Sequence, residues 1–304
     1  MVLVTVPDPS FLSALTGLPD VEVQLWDLSG PAPAPEIDMV VGPLRPARPY
    51  REALRDVRVG LLQHPGIGYD GVVEQLPPGV RLANTASVQE QATAELAMAV
   101  TLAMQRDLPG FVRAAERREW TQGLRSELAG QRVMLLGYGG IGTRLARMLD
   151  GFDVELIRVA SRARTADDGA PVHGVDELPA LLPAVDIVIV AVPLSPATER
   201  LVGREFLAAL PDGALVVNVA RGRVADTEAV LTEARAGRLR FALDTTDPEP
   251  LPADHELWSL PGVLITPHVG GLTGSLRPRL ERLIREQAAR LARGEAPQNV
   301  VFAG

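Results

Sequence analysis

The sequence predicts an α/β protein built on two doubly wound parallel sheets. Short runs of Val, Ile and Leu recur along the whole chain, four to seven residues each, bounded by Pro, Gly, Asn or Asp as buried strands are. Several are apolar without alternation, the mark of parallel strands covered on both faces. Helix-favouring segments separate the runs, and that β-α-β alternation builds parallel sheets. At about 100–200 residues per domain, 304 residues accommodate two.

The first five strands are expected at Val2–Val6, Val21–Trp26, Asp38–Gly42, Val57–Leu62 and Val80–Asn84. Short helices fit between them, for example over Pro49–Asp56, and Pro31–Pro35 reads as a surface loop. Gln89–Ala103 has no Gly or Pro and is rich in Ala, Glu, Leu and Met, so a long helix is expected there. Arg106–Trp120 is also helix-favouring but charged, with Pro109-Gly110 expected to break it. This stretch reads as the crossing into a second domain. Six further strands follow: Arg132–Gly137, Val154–Ala160, Asp186–Val192, Ala214–Val219, Leu239–Leu243 and Val263–Thr266. Helical segments at Ile141–Asp150, Asp176–Leu182, Arg204–Leu210 and Asp226–Ala236 alternate with them. Arg277–Arg293 carries Leu280, Leu283, Ile284, Ala288 and Leu291 at helical spacing, and this tail is expected to pack back on the first domain.

Composition excludes several functions. Apolar residues make up 46% and charged residues 22%, ordinary globular proportions. The net charge of −8 lacks the footprint expected of a nucleic-acid or anionic-membrane binder. With no cysteine, there is no disulfide, thiolate metal site or cysteine nucleophile. No metal site is expected. The start MVLVTVPDP does not read as a signal peptide, and no apolar run reaches membrane-spanning length, so the expected location is cytoplasmic.

Gly137-Tyr138-Gly139-Gly140-Ile141-Gly142 matches G-x-G-x-x-G between an expected strand and helix. Gly137 permits the tight turn, Gly139 lets a pyrophosphate approach the backbone, and Gly142 lets helix and strand pack closely. The helix N-terminus then offers N–H groups to phosphates. An NAD site usually has Asp or Glu at the tip of the next strand to bind the ribose hydroxyls. Here that tip reads Ala160-Ser161-Arg162-Ala163-Arg164. A hydroxyl and two guanidiniums suit a 2′-phosphate, so the chemistry points to NADP.

The four histidines are the natural proton carriers near neutral pH. His173, expected in an edge strand, and His255, in a Pro/Asp/Glu loop, read as bland. His64 and His268 each follow a strand end, where open α/β sheets place ligands. His64 stands beside the Gly66-Ile67-Gly68 loop with its available backbone N–H groups. Arg221 follows another strand, and Asp244, Asp247 and Glu249 follow the next. Arg, Glu and His on separate strand ends can meet: Arg to fix a carboxylate or polarise a carbonyl, His to exchange a proton, Glu to orient it. Taken singly, Arg221 serves equally as a salt-bridge partner, Glu249 as a turn acid and His268 as a cap.

Five segments together resemble the D-isomer-specific 2-hydroxyacid dehydrogenase family over nearly the whole chain. They are Gly137–Gly142, the V-P-L-S-P-A-T run Val192–Thr198, Asn218–Asp226, the A-L-D-T-T-D-P-E-P-L-P run Ala242–Pro252 followed by Leu257-Trp258, and Thr266-Pro267-His268. The resemblance implies a Rossmann nucleotide-binding domain (98–269) inserted into a flavodoxin-like substrate domain (1–97 and 270–304), and a homodimer. It implies Arg221 binding the substrate's carboxylate and carbonyl, His268 protonating the carbonyl oxygen, and Glu249 as its partner. Gly66, Ile67 and Gly68 would hold the carboxylate. The dinucleotide would touch Gly137, Tyr138, Gly139, Gly140, Ile141 and Gly142. It would further touch Ser161, Arg162, Arg164, Val192, Pro193, Thr198, Val219, Ala220, Asp244, His268 and Gly270. The wording is nearest to NADP-using glyoxylate and hydroxypyruvate reductases, so the expected reaction is reversible reduction of small 2-oxo acids with NADP(H) preferred and NAD(H) possible. A formate- or phosphite-type dehydrogenase, or a dinucleotide-sensing corepressor-like protein, is the alternative. Thr85-Ala86-Ser87 stands where many relatives have T-P-G, which bears on substrate choice.

Overall fold

The computed structural model describes residues 1–44 and 46–304, which divide into two compact units, 1–89 with 274–304 and 90–273. The first unit holds strands β1 (Val2–Val6), β2 (Val21–Leu25), β3 (Glu36–Val41), β4 (Arg58–Gln63) and β5 (Arg81–Ala83), with short helices α1 (Leu12–Leu15) and α2 (Tyr50–Ala53) between them. The second opens on the long helices α3 (Glu90–Gln105) and α4 (Leu108–Glu116). Strand β6 (Arg132–Leu136), helix α5 (Gly140–Leu149) and strands β7 (Glu155–Ala160), β8 (Arg164–Thr165) and β9 (Pro171–Gly174) follow. Then come α6 (Leu178–Leu181), β10 (Ile187–Val190), α7 (Arg204–Ala209), β11 (Leu215–Asn218), α8 (Thr227–Arg235), β12 (Arg240–Leu243) and β13 (Val263–Ile265). Helix α9 (Leu276–Ala292) and strand β14 (Val300–Phe302) return to the first unit. The division falls at 89/90, so that α3 lies wholly in the second unit; a boundary at 97/98 cuts this helix.

In the first unit the sheet order is β14-β5-β4-β3-β1-β2. All its pairings are parallel except β14 on β5. The apolar face of α9, led by Leu280, Leu283, Ile284 and Ala288, packs with Val4, Val6, Met39 and Leu61, so the tail helix does join the first unit's core. β14 was not foreseen. Its three residues cap the sheet edge antiparallel to β5, and so short a run carries little pattern.

In the second unit the order is β13-β12-β11-β10-β6-β7-β9-β8, parallel except for the two-residue β8. β9 therefore lies between β7 and β8, which corrects the expectation of an edge strand around His173. Every residue of β10 and β11 is buried, as strands covered on both faces must be. Pro109-Gly110 does not break α4. Pro109 sits in the helix's first turn, where its missing N–H and fixed φ cost nothing. Asp226 caps α8 by accepting from the N–H groups of Glu228 and Ala229. Arg240 opens β12 and donates to the carbonyls of Gly213 and Met104 and to Gln105 Oε1, tying the sheet to the end of α3.

Ile284 is fully buried on α9. Ile284→Ala should lower the first unit's unfolding free energy by roughly 2–5 kcal/mol through lost burial and a residual cavity. Urea denaturation followed by a probe in that unit checks this; a loss below about 1 kcal/mol would mean the tail is not part of that core.

Candidate active site

The glycine loop joins β6 to α5. Gly137 has φ +111°, and a Cβ there would stand 2.5 Å from the Ala191 carbonyl oxygen. A Cβ on Gly142 would stand only 2.2 Å from the Gly137 carbonyl oxygen. Both positions therefore require glycine, one for backbone conformation and one for close packing. Nothing lies within 4 Å of a Cβ on Gly139, the N-cap of α5, so the loop is open at the point where a pyrophosphate would meet the helix N-terminus. These features fit a dinucleotide. Pro193–Thr198 is locked internally: Thr198 Oγ1 donates to the Pro193 carbonyl and accepts from the Ser195 N–H.

Beyond β7, Ser161 and Arg162 are exposed. Arg164 stands in β8 and donates to the Tyr138 carbonyl at 2.8 Å, bracing the glycine loop from outside. The sequence did not single out Arg158. Its guanidinium lies 5.6 Å from the Tyr138 ring centroid, and Arg164 lies 6.0 Å from it, so this aromatic residue carries two cations. Arg158 looks from sequence like a charge inside a strand, and only the register beside β6 shows where it goes.

The third cluster is set by register. Asn218, Leu243 and Ile265 end β11, β12 and β13 side by side, so the residues after them emerge on one edge of the sheet. Asn218, buried, accepts from the Ala220 N–H and donates to the Arg221 carbonyl, which shapes the turn that carries Arg221. A Cβ on Gly222 would stand 1.9 Å from the Thr246 carbonyl oxygen, so the two loops touch at a glycine. Asp244 is only 4% exposed. Its Oδ1 accepts from Thr266 Oγ1 at 2.6 Å and from the Val269 N–H at 2.9 Å, and its Oδ2 accepts from the Gly270 N–H at 3.0 Å. Its own carbonyl accepts from the His268 N–H at 2.7 Å. His268 is thereby held at φ +53°, a conformation L residues adopt only when their surroundings impose it.

From this turn the imidazole reaches Glu249, with Nδ1 donating to Oε1 at 2.7 Å. The carboxylate fixes the ring's orientation and leaves Nε2 to exchange a proton. Both side chains are about two-fifths exposed, 43% and 42%, so ligand and solvent can reach them. The structure thus brings together Asp244, Glu249 and His268, with Arg221 on the adjoining strand end. Val219, Ala220 and Gly270 are buried.

Elsewhere the bland readings suffice. His255 Nδ1 accepts from the Leu257 N–H as a cap, and His173 pairs with Glu177 on the surface. In the first unit, Gly66, Ile67 and Gly68 follow the end of β4 and are half-buried. Tyr50 stands edge-on to His64 at 6.5 Å, and burial pushes its phenol up to about 12, keeping it protonated. Among the described residues no cluster of His, Asp and Glu could hold a metal, and no helix is long and apolar enough to cross a membrane.

Residues 98–270 match the family model described as the D-isomer specific 2-hydroxyacid dehydrogenase, NAD binding domain. A glyoxylate reductase from Pyrococcus furiosus is 31% identical over 261 residues, 80% of this chain and 76% of its own. The glyoxylate reductase/hydroxypyruvate reductase of Homo sapiens is 29% identical over 299 residues, 93% of this chain and 91% of its own. A solved D-isomer specific 2-hydroxyacid dehydrogenase from Xanthobacter autotrophicus Py2, in complex with NADPH and MES, superposes with a TM-score of 0.84 at 29% identity. That alignment covers 99% of this chain and 98% of the other. The chain belongs to the D-isomer specific 2-hydroxyacid dehydrogenase family. It is an oxidoreductase whose cofactor is a nicotinamide dinucleotide.

The glycines give a paired prediction. Gly139→Ala should fold with unchanged thermal stability and bind the dinucleotide at least about tenfold more weakly, because the methyl intrudes only on the ligand. Gly142→Ala should lower the melting temperature itself. Equal stability of the two variants would contradict this division of roles.

Proposed function

We propose that the protein reversibly reduces small 2-oxo acids of the glyoxylate and hydroxypyruvate type to D-2-hydroxy acids, with NADPH preferred over NADH. The observation that carries this reading is the His268–Glu249 bond at the edge of the second sheet, with Arg221 on the neighbouring strand end. The names of the similar proteins from Pyrococcus furiosus and Homo sapiens support the substrate class.

Gly137–Gly142 would hold the pyrophosphate of the dinucleotide, which when bound would supply the hydride for reducing a carbonyl. The chain's own residues do the rest. Arg221 offers a planar fork to the substrate's carboxylate and carbonyl oxygen and stabilises the negative charge that grows there. His268 Nε2 gives its proton to that oxygen while Nδ1–H stays on Glu249, which keeps the ring in place. The ring leaves neutral and regains its proton from solvent.

Ser161 and Arg162 are proposed to face the adenosine 2′-phosphate, with Arg164 beside them. All three are exposed, and Arg164 already ties this tip to the glycine loop. A homodimer is part of the same reading. Leu108, Val112, Trp120 and Leu124 are exposed within one short stretch, apolar surface that a second copy would cover.

His268→Gln should lower kcat by roughly 10²–10⁴ with dinucleotide affinity unchanged, the usual worth of a general acid. Arg221→Lys keeps the charge but loses the fork, and should cut kcat/KM for 2-oxo acids sharply. Near-normal turnover in either variant would remove that residue from the mechanism. For the cofactor, kcat/KM should favour NADPH over NADH by roughly 10²-fold, allowing for solvent screening of the exposed arginines. Arg162→Ala should narrow that ratio by raising KM for NADPH alone. A wild-type enzyme that uses NADH as well as NADPH would overturn the preference and leave the reaction class intact.

A further inference from the structure

In the loop after β4, three consecutive carbonyls are each held by a different group of the first unit. The Gly66 carbonyl accepts from the Thr85 N–H at 3.2 Å, the Ile67 carbonyl from Asn84 Nδ2 at 2.8 Å, and the Gly68 carbonyl from His64 Nε2 at 3.1 Å. These peptide bonds are trans, so each carbonyl points opposite to the N–H of the next residue. Anchoring the carbonyls of Gly66, Ile67 and Gly68 therefore turns the N–H groups of Ile67, Gly68 and Tyr69 away from their anchors. Among the described residues none of these three N–H groups donates to a protein acceptor. Successive amides freed in this way offer adjacent donors to an anion.

We propose that His64 and Asn84 are positioning residues that present the amides of Ile67, Gly68 and Tyr69 to the substrate's carboxylate. This rests on the reading of the protein as a 2-oxo acid reductase. His64 acts here as a clamp. Its Nε2–H faces a carbonyl, which only accepts, so the ring donates at that atom whether neutral or charged. Gly66 makes room for it: even a Cβ at that position would stand 3.2 Å from Nε2. Asn84 is buried and uses both ends of its amide, accepting from the Ala86 N–H while donating to Ile67.

The clamps are themselves braced. Fully buried Gln63 donates to the carbonyls of His64 and Asn84, and fully buried Gln287 of α9 donates to Gln63 Oε1 at 3.0 Å. A buried polar network of this kind has few good arrangements, which makes the loop a preformed donor set.

The test uses the full-length protein with oxamate, an unreactive carboxylate shaped like a 2-oxo acid. Titration followed by amide nuclear magnetic resonance should shift the Ile67, Gly68 and Tyr69 N–H signals together. His64→Phe should raise the oxamate Kd and the glyoxylate KM at least about tenfold while kcat and the KM for NADPH move less than about threefold, since charged hydrogen bonds are lost in binding alone. His64→Gln, which keeps a donor, should recover most of the loss. Asn84→Asp, which keeps the acceptor for Ala86 but opposes the Ile67 carbonyl with an oxygen, should imitate His64→Phe. The proposal is overturned if the three amides do not respond in the wild type. It is overturned equally if both folded variants bind oxamate normally, or if His64→Phe abolishes kcat and removes a limb of the pH profile, which would make His64 the acid. A wild type that binds oxamate through these amides yet reduces no 2-oxo acid would refute the functional reading and leave the loop's role standing.

Discussion

The carboxylate of Asp244 is the interaction on which the candidate site in the second unit depends. It emerges from β12 with its N–H on the Asn218 carbonyl of β11, and it gathers Thr266, Val269 and Gly270 from the chain leaving β13. Burying this carboxylate is tolerable because three donors meet it. Those donors hold the turn that puts His268 into a left-handed conformation within reach of Glu249. The strain at His268 is local, and the sheet beneath it, with every residue of β10 and β11 buried, is stiff enough to impose it.

The two units solve the same problem by different means. In the second, the Asp244 side chain collects one hydroxyl and two backbone donors and fixes the turn that carries His268. In the first, the side chains of His64 and Asn84 collect backbone carbonyls and free the opposite faces of the peptides. Both devices lie just past the C-terminal ends of parallel strands, where chain direction leaves loops open to ligand. The returning tail supports the first unit's device, since α9 supplies both the apolar face on β1 and β3 and the Gln287 amide under Gln63.

Much of this was legible in the sequence for physical reasons. Strands buried on both faces must be apolar throughout, so β10 and β11 announce themselves. A G-x-G-x-x-G between strand and helix has few other uses, and the Cβ contacts show the separate demands on Gly137 and Gly142. Arg221, Glu249 and His268 were visible as charges placed after strands. What escaped notice depends on tertiary neighbours. β14 is too short to show a pattern, and Pro109 reads as a breaker until its place in the first turn of α4 is known. Asn84 looks like a cap residue, and nothing local reveals that its amide crosses to Ile67. Arg158 gives no sign that it lies against Tyr138.

The most direct test of the account is the steady-state rate at which the wild-type protein consumes NADPH with a panel of small 2-oxo acids, run beside the same protein offered NADP with formate or phosphite. Turnover with glyoxylate and hydroxypyruvate, and none with formate or phosphite, is the predicted result. Oxidation of formate or phosphite without any reduction of 2-oxo acids would contradict it.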